Sequence, residues 1–88
     1  MEVAVPRFLR SRHADVDVIT AALDRDDFEQ IRILGHNMKG AGEGYGFPEI
    51  TVLGALIEQA SSAREPGSVR LQIAALSQYL SRVEVIED

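Results

Sequence analysis

Apolar residues in this sequence recur at three- and four-residue spacing along most of its length, and the alternating pattern typical of strands is scarce. This spacing places apolar side chains on one face of a helix, so the pattern predicts an all-α fold. Three segments interrupt the pattern: the acidic run at 24–27, the glycine-rich stretch at 40–46, and the pair Pro66 and Gly67. The sequence therefore predicts four helices with short connections, packed as an antiparallel, up-down-up-down four-helix bundle.

Local signals predict where the first two helices begin and end. We expect the first helix to begin at Pro6, because proline suits the first helical turn. Asp26 or Asp27 is placed to cap the second helix by accepting hydrogen bonds from its free amides. Each glycine costs about 1 kcal/mol relative to alanine inside a helix, so we expect the second helix to end within 40–46. It is expected to end early, or to be unusually mobile, beyond Lys39.

The last two helices carry similar signals. Pro48 is predicted to occupy the first position of the third helix, and Ser68 to cap the fourth after a break at Pro66 and Gly67. The tail at 84–88 is expected to fray. The predicted apolar faces of the four helices are, in order, Phe8, Leu9, Val16, Ile19 and Leu23; Phe28, Ile31, Leu34, Gly35 and Met38; Ile50, Leu53, Leu56, Ile57 and Ala60; and Val69, Ile73, Leu76, Leu80 and Val83.

Length and composition limit the possible classes of protein. With 88 residues the chain has room for one hydrophobic core, so we expect residues 1–88 to form a single domain. Its lack of cysteine excludes disulfides and thiolate metal sites, and its net charge of −5 argues against nucleic-acid binding. No window approaches the roughly 20 apolar residues of a membrane span. We therefore expect a cytoplasmic protein without a membrane partner.

His36 lies on the polar side of the predicted second helix. At about 100° per residue it falls about 135° from the centre of the apolar stripe, so its imidazole is expected to project into solvent. An imidazole is a largely neutral nucleophile near pH 7, and Lys39, one turn away, supplies a positive charge for a phosphoryl group. Gly40 lacks a side chain that would obstruct a partner protein. The combination favours phosphoryl chemistry on an exposed histidine.

Metal and nucleotide sites fit the sequence less well. His13 belongs to a different predicted helix from His36, and the HExxH motif is absent, so we expect no metal site. The glycine-rich stretch follows a helix, lacks the lysine–serine ending of a P-loop and contains Glu43. We therefore expect no nucleotide and no other cofactor on this chain.

The segment His36-Asn37-Met38-Lys39-Gly40, followed by Gly46-Phe47, resembles the HxxKG signature and downstream glycine of histidine-containing phosphotransfer (HPt) domains. The resemblance extends over nearly the whole chain. It includes the Phe8-Leu9 pair in the first helix, the acidic turn before Phe28, and Leu56 and Glu58 in the third helix.

This resemblance implies that His36 is phosphorylated, at Nε2, and exchanges the phosphoryl group with an aspartate of a response-regulator receiver domain in a multistep phosphorelay. Lys39 would stabilise the phosphoryl charge, and Gly46 would permit a tight exit from the helix. The chain would be a phosphocarrier without catalytic activity of its own, because the receiver supplies the aspartate and Mg²⁺. Residues expected to contact the partner are Arg32, Ile33, Gly40 and Glu43.

The expected partners are a receiver domain, a hybrid histidine kinase, or both, and the chain is expected to be a monomer. The alternative from another class is a helical interaction or scaffold module that binds a signalling partner without being phosphorylated. A third interpretation, a small metal-dependent hydrolase, would require a tightly bound metal.

Overall fold

Over residues 4–87 the fold consists of four helices joined by turns of three residues each. The computed structural model describes the backbone of residues 4–87 and the side chains of residues 6–83. Helix α1 spans Ala4–Asp24, α2 Phe28–Gly44, α3 Pro48–Ser62 and α4 Pro66–Glu87. Residues 4–87 contain no strand. The prediction of an all-α protein with four helices is confirmed.

The three turns share one hydrogen-bonding pattern. Each contains a residue in the left-handed conformation: Asp26 and Arg64, both with a φ of 56°, and Gly46 with a φ of 86°. In the second turn the amide of Gly46 donates to the carbonyl of Glu43 at 3.1 Å, and the amide of Phe47 donates to that of Gly42 at 2.8 Å. This is the Schellman motif, which satisfies the last carbonyls of a helix and stops it abruptly.

Each helix has two close neighbours along its backbone: α1 packs beside α2 and α4, and α3 packs beside α2 and α4. Contacts across the α2–α3 pair join the end of one helix to the start of the other, since Gly42 lies against Thr51 and Gly35 against Glu58. These contacts fit the predicted up-down-up-down order. The core holds the apolar side chains Phe8, Leu9, Ile19, Ala22, Leu23, Phe28, Ile31, Met38, Ile50, Leu53, Ile57, Ala60, Val69, Ile73, Leu76 and Leu80.

Helices α2 and α3 approach closely because glycines line their contact. A Cβ at Gly54 would lie 2.5 Å from the backbone nitrogen of Lys39 and 2.8 Å from the carbonyl oxygen of Gly35. A Cβ at Gly42 would lie 2.5 Å from the backbone nitrogen of Thr51. Only a residue without a side chain fits these positions, so the two backbones lie almost in contact.

Several predicted boundaries hold. The side chain of Asp27 accepts a hydrogen bond from the amide of Gln30 and so caps α2, and Pro48 lies in the first turn of α3, next to the N-cap Phe47. Helix α2 ends at Gly44, inside the glycine-rich stretch.

Other predictions were wrong. Helix α1 begins at Ala4, before Pro6, because proline is tolerated throughout a first turn, where the amides have no helical partner. Pro66 is the first residue of α4 and no break, so Ser68 lies within the helix and does not cap it. Leu56, assigned to the buried face of α3, is 39% exposed.

Two expectations concerned helix ends. Helix α2 does not end early after Lys39 but continues through Gly40 and Gly42. Tight packing of Gly42 on α3 accounts for this continuation. Helix α4 continues to Glu87, whereas we expected fraying from Glu84. Asp88 and the side chains of 84–87 lie outside the described residues.

Candidate functional site

His36 lies at the edge of the α2–α3 contact. Its side chain is 61% exposed, which confirms the outward orientation predicted from the helical periodicity. Gly35, the preceding residue, is buried against the backbone of Glu58 on α3. The close approach at Gly35 brings α3 near enough for one of its side chains to reach the imidazole.

That side chain is Glu58, whose carboxylate contacts two residues of α2 at once. Oε2 lies 3.2 Å from Nδ1 of His36, and Oε1 lies 3.1 Å from Nζ of Lys39. A carboxylate accepts hydrogen bonds and cannot donate one. The contact therefore favours the tautomer with the proton on Nδ1, which leaves the lone pair of Nε2 for a nucleophilic attack.

The charge state of Glu58 supports this arrangement. The hydrogen bond from Lys39 lowers the pKa of the Glu58 carboxyl below its ordinary value, and the weaker contact with His36 acts in the same direction, while partial desolvation opposes both. Glu58 is therefore an anion at neutral pH. This one carboxylate holds the ammonium group of Lys39 beside the imidazole.

The other residues predicted for the site differ in exposure and in the contacts that they make. Arg32 forms an ion pair with Glu29, with 2.7 Å between Nη2 and Oε2, and this pairing raises the pKa of Arg32. Ile33 is 45% exposed. A Cβ at Gly40 would meet no atom within 4 Å, so the surface beside His36 is open.

Glu43 and Gly46 lie farther along the chain. Glu43 is exposed in the last turn of α2. Gly46 is in the following turn, where its positive φ favours glycine over other residues.

Other types of site find little support in the described part of the chain. Among the side chains that the structure describes, those of residues 6–83, no group of three histidine, cysteine, aspartate or glutamate residues could hold a metal ion. His13 is half-buried and lies on a different helix, α1. Among the described helices, none is both long and apolar enough to cross a membrane.

Glu58 is the residue whose role the sequence reasoning missed. It was recognised only as part of the family resemblance. The available signal was the helix register: two antiparallel helices joined by a three-residue turn at 45–47 place residue 36 opposite a residue close to 57. Glu58 lies next to that position, on the flank of the apolar face of α3, and is the partner for His36.

Comparison with known proteins gives one match. The family model of the Hpt domain matches residues 4–85, nearly the whole chain. Comparisons with curated proteins and with solved structures returned no significant match. Hpt domains carry phosphoryl groups in phosphorelay signalling, as phosphocarriers rather than catalysts, and interact with receiver domains and kinases. From this match, together with a bundle of four helices that exposes a histidine followed by lysine and glycine, we conclude that the chain belongs to the Hpt domain family.

Proposed function

We propose that this chain accepts a phosphoryl group on Nε2 of His36 and exchanges it with the aspartate of a response-regulator receiver domain. The observation that carries the proposal is the contact of Nδ1 with Glu58, at 3.2 Å, on an imidazole that is otherwise exposed. The contact occupies one ring nitrogen and leaves the other open to solvent. An incoming acyl phosphate can therefore approach along the free side.

The transfer balances without a further reactant. The lone pair of Nε2 forms the N–P bond, while the P–O bond to the receiver aspartate breaks and the aspartate leaves with the electron pair. As the ring gains positive charge, its Nδ1 proton remains shared with the carboxylate of Glu58. The reverse reaction follows the same path and returns the phosphoryl group to a carboxylate.

Lys39 supplies the positive charge in this proposal. Its ammonium group lies 3.1 Å from Glu58 and is 43% exposed, so it can turn towards the oxygens of a phosphoryl group on the neighbouring turn. Phosphoryl transfer depends largely on positioning and on stabilising charge. We assign the Mg²⁺ ion and the acyl phosphate to the receiver.

The surface around His36 suits the approach of a folded partner. Gly40 leaves open space beside the imidazole, and Ile33 offers an exposed apolar side chain one turn before it. Arg32 and Glu43 add one charge of each sign. We propose that the receiver contacts these four residues.

The proposal is tested by phosphoryl labelling. A receiver domain loaded with radiolabelled acetyl phosphate is expected to transfer label to the wild-type chain, as an acid-labile and base-stable phosphohistidine. His36→Gln should abolish this label. His13→Gln, the same change on α1, is the matched control and should retain it.

Equal labelling of the wild-type chain and His36→Gln would overturn the proposal. Stable binding of a receiver without any labelling would instead favour a helical interaction module. Circular dichroism of each variant verifies that the fold is retained.

A further inference from the structure

Helix α3 holds Lys39 at three points. The hydroxyl of Thr51 donates a hydrogen bond of 2.9 Å to the backbone carbonyl of Lys39, and Glu58 holds its ammonium group. Between these two contacts, Gly54 lies directly against the Lys39 backbone, where a Cβ would be 2.5 Å from its nitrogen. One edge of α3 therefore contacts both the backbone and the side-chain end of Lys39.

Thr51 acts where α2 is intrinsically weakest. Gly40, Gly42 and Gly44 follow Lys39 within five residues, and each lowers helix stability by about 1 kcal/mol relative to alanine. Thr51 also fills the notch that Gly42 leaves, since a Cβ at Gly42 would lie 2.5 Å from the Thr51 hydroxyl oxygen. The helix nevertheless continues to Gly44. The Thr51 contacts are thus placed to hold this segment against α3.

The segment held by Thr51 includes part of the face that a partner would meet. Gly40 and Glu43 belong to it, and His36 precedes it by one turn. We propose that Thr51 is a positioning residue for receiver docking, acting through the Lys39 carbonyl and Gly42 to keep residues 40–44 helical. This inference rests on the proposed function of His36, because docking matters only if a receiver binds here.

Thr51 and Glu58 contact different groups, so the role of Thr51 can be tested separately from that of Glu58. Glu58 contacts the imidazole and the ammonium group, whereas the Thr51 hydroxyl donates its hydrogen bond to a backbone carbonyl. Loss of the hydroxyl leaves the nucleophile and the charge beside it in place. The effect should therefore fall on the apparent Kd for the receiver and spare the limiting rate of single-turnover transfer.

Three variants test the role. Thr51→Val removes the hydroxyl with little change of shape, Thr51→Ser keeps the hydroxyl, and Thr20→Val is the matched control. Thr20 donates a hydrogen bond of 2.8 Å to the carbonyl of Val16 within α1. Loss of this hydrogen bond removes no contact with α2 or α3. The two measurements are amide hydrogen exchange at residues 40–44 and transfer kinetics with a receiver loaded by acetyl phosphate.

For Thr51→Val we expect exchange at 40–44 to be about 2- to 10-fold faster, the factor that one net hydrogen bond represents. The apparent Kd for the phosphorylated receiver should rise by a similar factor of about 2 to 10, with the limiting rate of transfer nearly unchanged. Thr51→Ser should restore both values, and Thr20→Val should alter neither.

Unchanged exchange at 40–44, an unchanged apparent Kd, or failure of Thr51→Ser to restore the wild-type values would overturn the role of Thr51. The labelling of the wild-type chain separates this result from the proposed function. If the wild-type chain takes no label from any receiver, the proposed function fails, and hydrogen exchange still decides whether Thr51 holds the segment.

Discussion

At the scale of single residues, Glu58 organises the site because its two oxygens serve two different groups. One oxygen lies 3.2 Å from the imidazole of His36 and the other 3.1 Å from the ammonium of Lys39. The first contact orients the imidazole that we propose as the nucleophile, and the second keeps a cation beside it. A neutral amide in place of the carboxylate would lose the charge and could also donate a hydrogen bond, which removes the preference for one tautomer.

Glu58→Gln is therefore expected to slow phosphorylation of His36 by about 3- to 10-fold, the cost of one ordinary net hydrogen bond, because solvent screens the charge at this exposed site. Nitrogen chemical shifts of the imidazole should show a mixture of tautomers in the variant and mainly the Nδ1-protonated form in the wild-type chain. A wild-type rate together with an unchanged tautomer would contradict the role assigned to Glu58.

The same substitution should alter the pH dependence of stability. The pKa of Glu58 is lowered in the folded protein, so the unfolded chain binds this proton more tightly. The carboxylate thus stabilises the fold above the ordinary glutamate pKa, and this contribution disappears as the pH falls through the lowered value. Acid titration followed by circular dichroism should show a weaker loss of stability in Glu58→Gln.

At the scale of helices, the α2–α3 pair determines which residues meet at the site. Gly35 and Gly54 let the two backbones approach, and this approach places Glu58 beside His36. Glycine weakens an isolated helix, but here it permits contacts that a larger residue would prevent. Tertiary packing therefore outweighs helix propensity in this pair.

Gly54→Ala should destabilise the protein by about 2 kcal/mol, the usual cost of overpacking, because the new Cβ would collide with the backbone of Lys39 and Gly35. Gly40→Ala is the matched control, since nothing lies within 4 Å of its Cβ position. It should stabilise α2 by up to about 1 kcal/mol. Urea denaturation measures the free energy of unfolding of both variants. Equal values would show that the close approach of α2 and α3 is unnecessary for stability.

At the scale of the whole molecule, an aromatic cluster at one end joins α1, the α2–α3 turn and α4. The rings of Phe8 and Tyr45 stack with centroids 4.3 Å apart, and Phe8 and Phe47 stack at 5.8 Å. Phe47 also meets Tyr79 edge-on at 6.5 Å. A domain of this size has a free energy of unfolding of only about 5–10 kcal/mol. We therefore expect a cluster that joins three parts of the bundle to contribute a large share of that free energy.

Phe47→Ala is expected to lower the free energy of unfolding by about 2–3 kcal/mol, below the value for a fully buried phenylalanine because Phe47 is half-buried. The melting temperature should fall by roughly 10 °C or more. Leu71→Ala, at a position that is 66% exposed, should change stability by less than about 0.5 kcal/mol. Equal melting temperatures for the two variants would contradict the role of the cluster.

The sequence by itself determined the four helices, the turns between them and the outward position of His36. Helical periodicity, capping by Asp27 and the proline at 48 are local signals that act within one or two turns of the chain. The same is true of the HxxKG pattern, whose residues lie on consecutive turns of α2. Local signals failed at Pro66, which can open a helix as readily as interrupt one.

Only the tertiary structure decided which residues of α3 meet this pattern. Glu58 lies 22 residues from His36 in the sequence, and Thr51 reaches Lys39 across the helix pair. The exposure of Leu56 and the continuation of α2 through Gly42 also depend on how the helices pack. The register and separation of two helices depend on all side chains in their contact, and three glycines, unfavourable to a helix when taken singly, set both here.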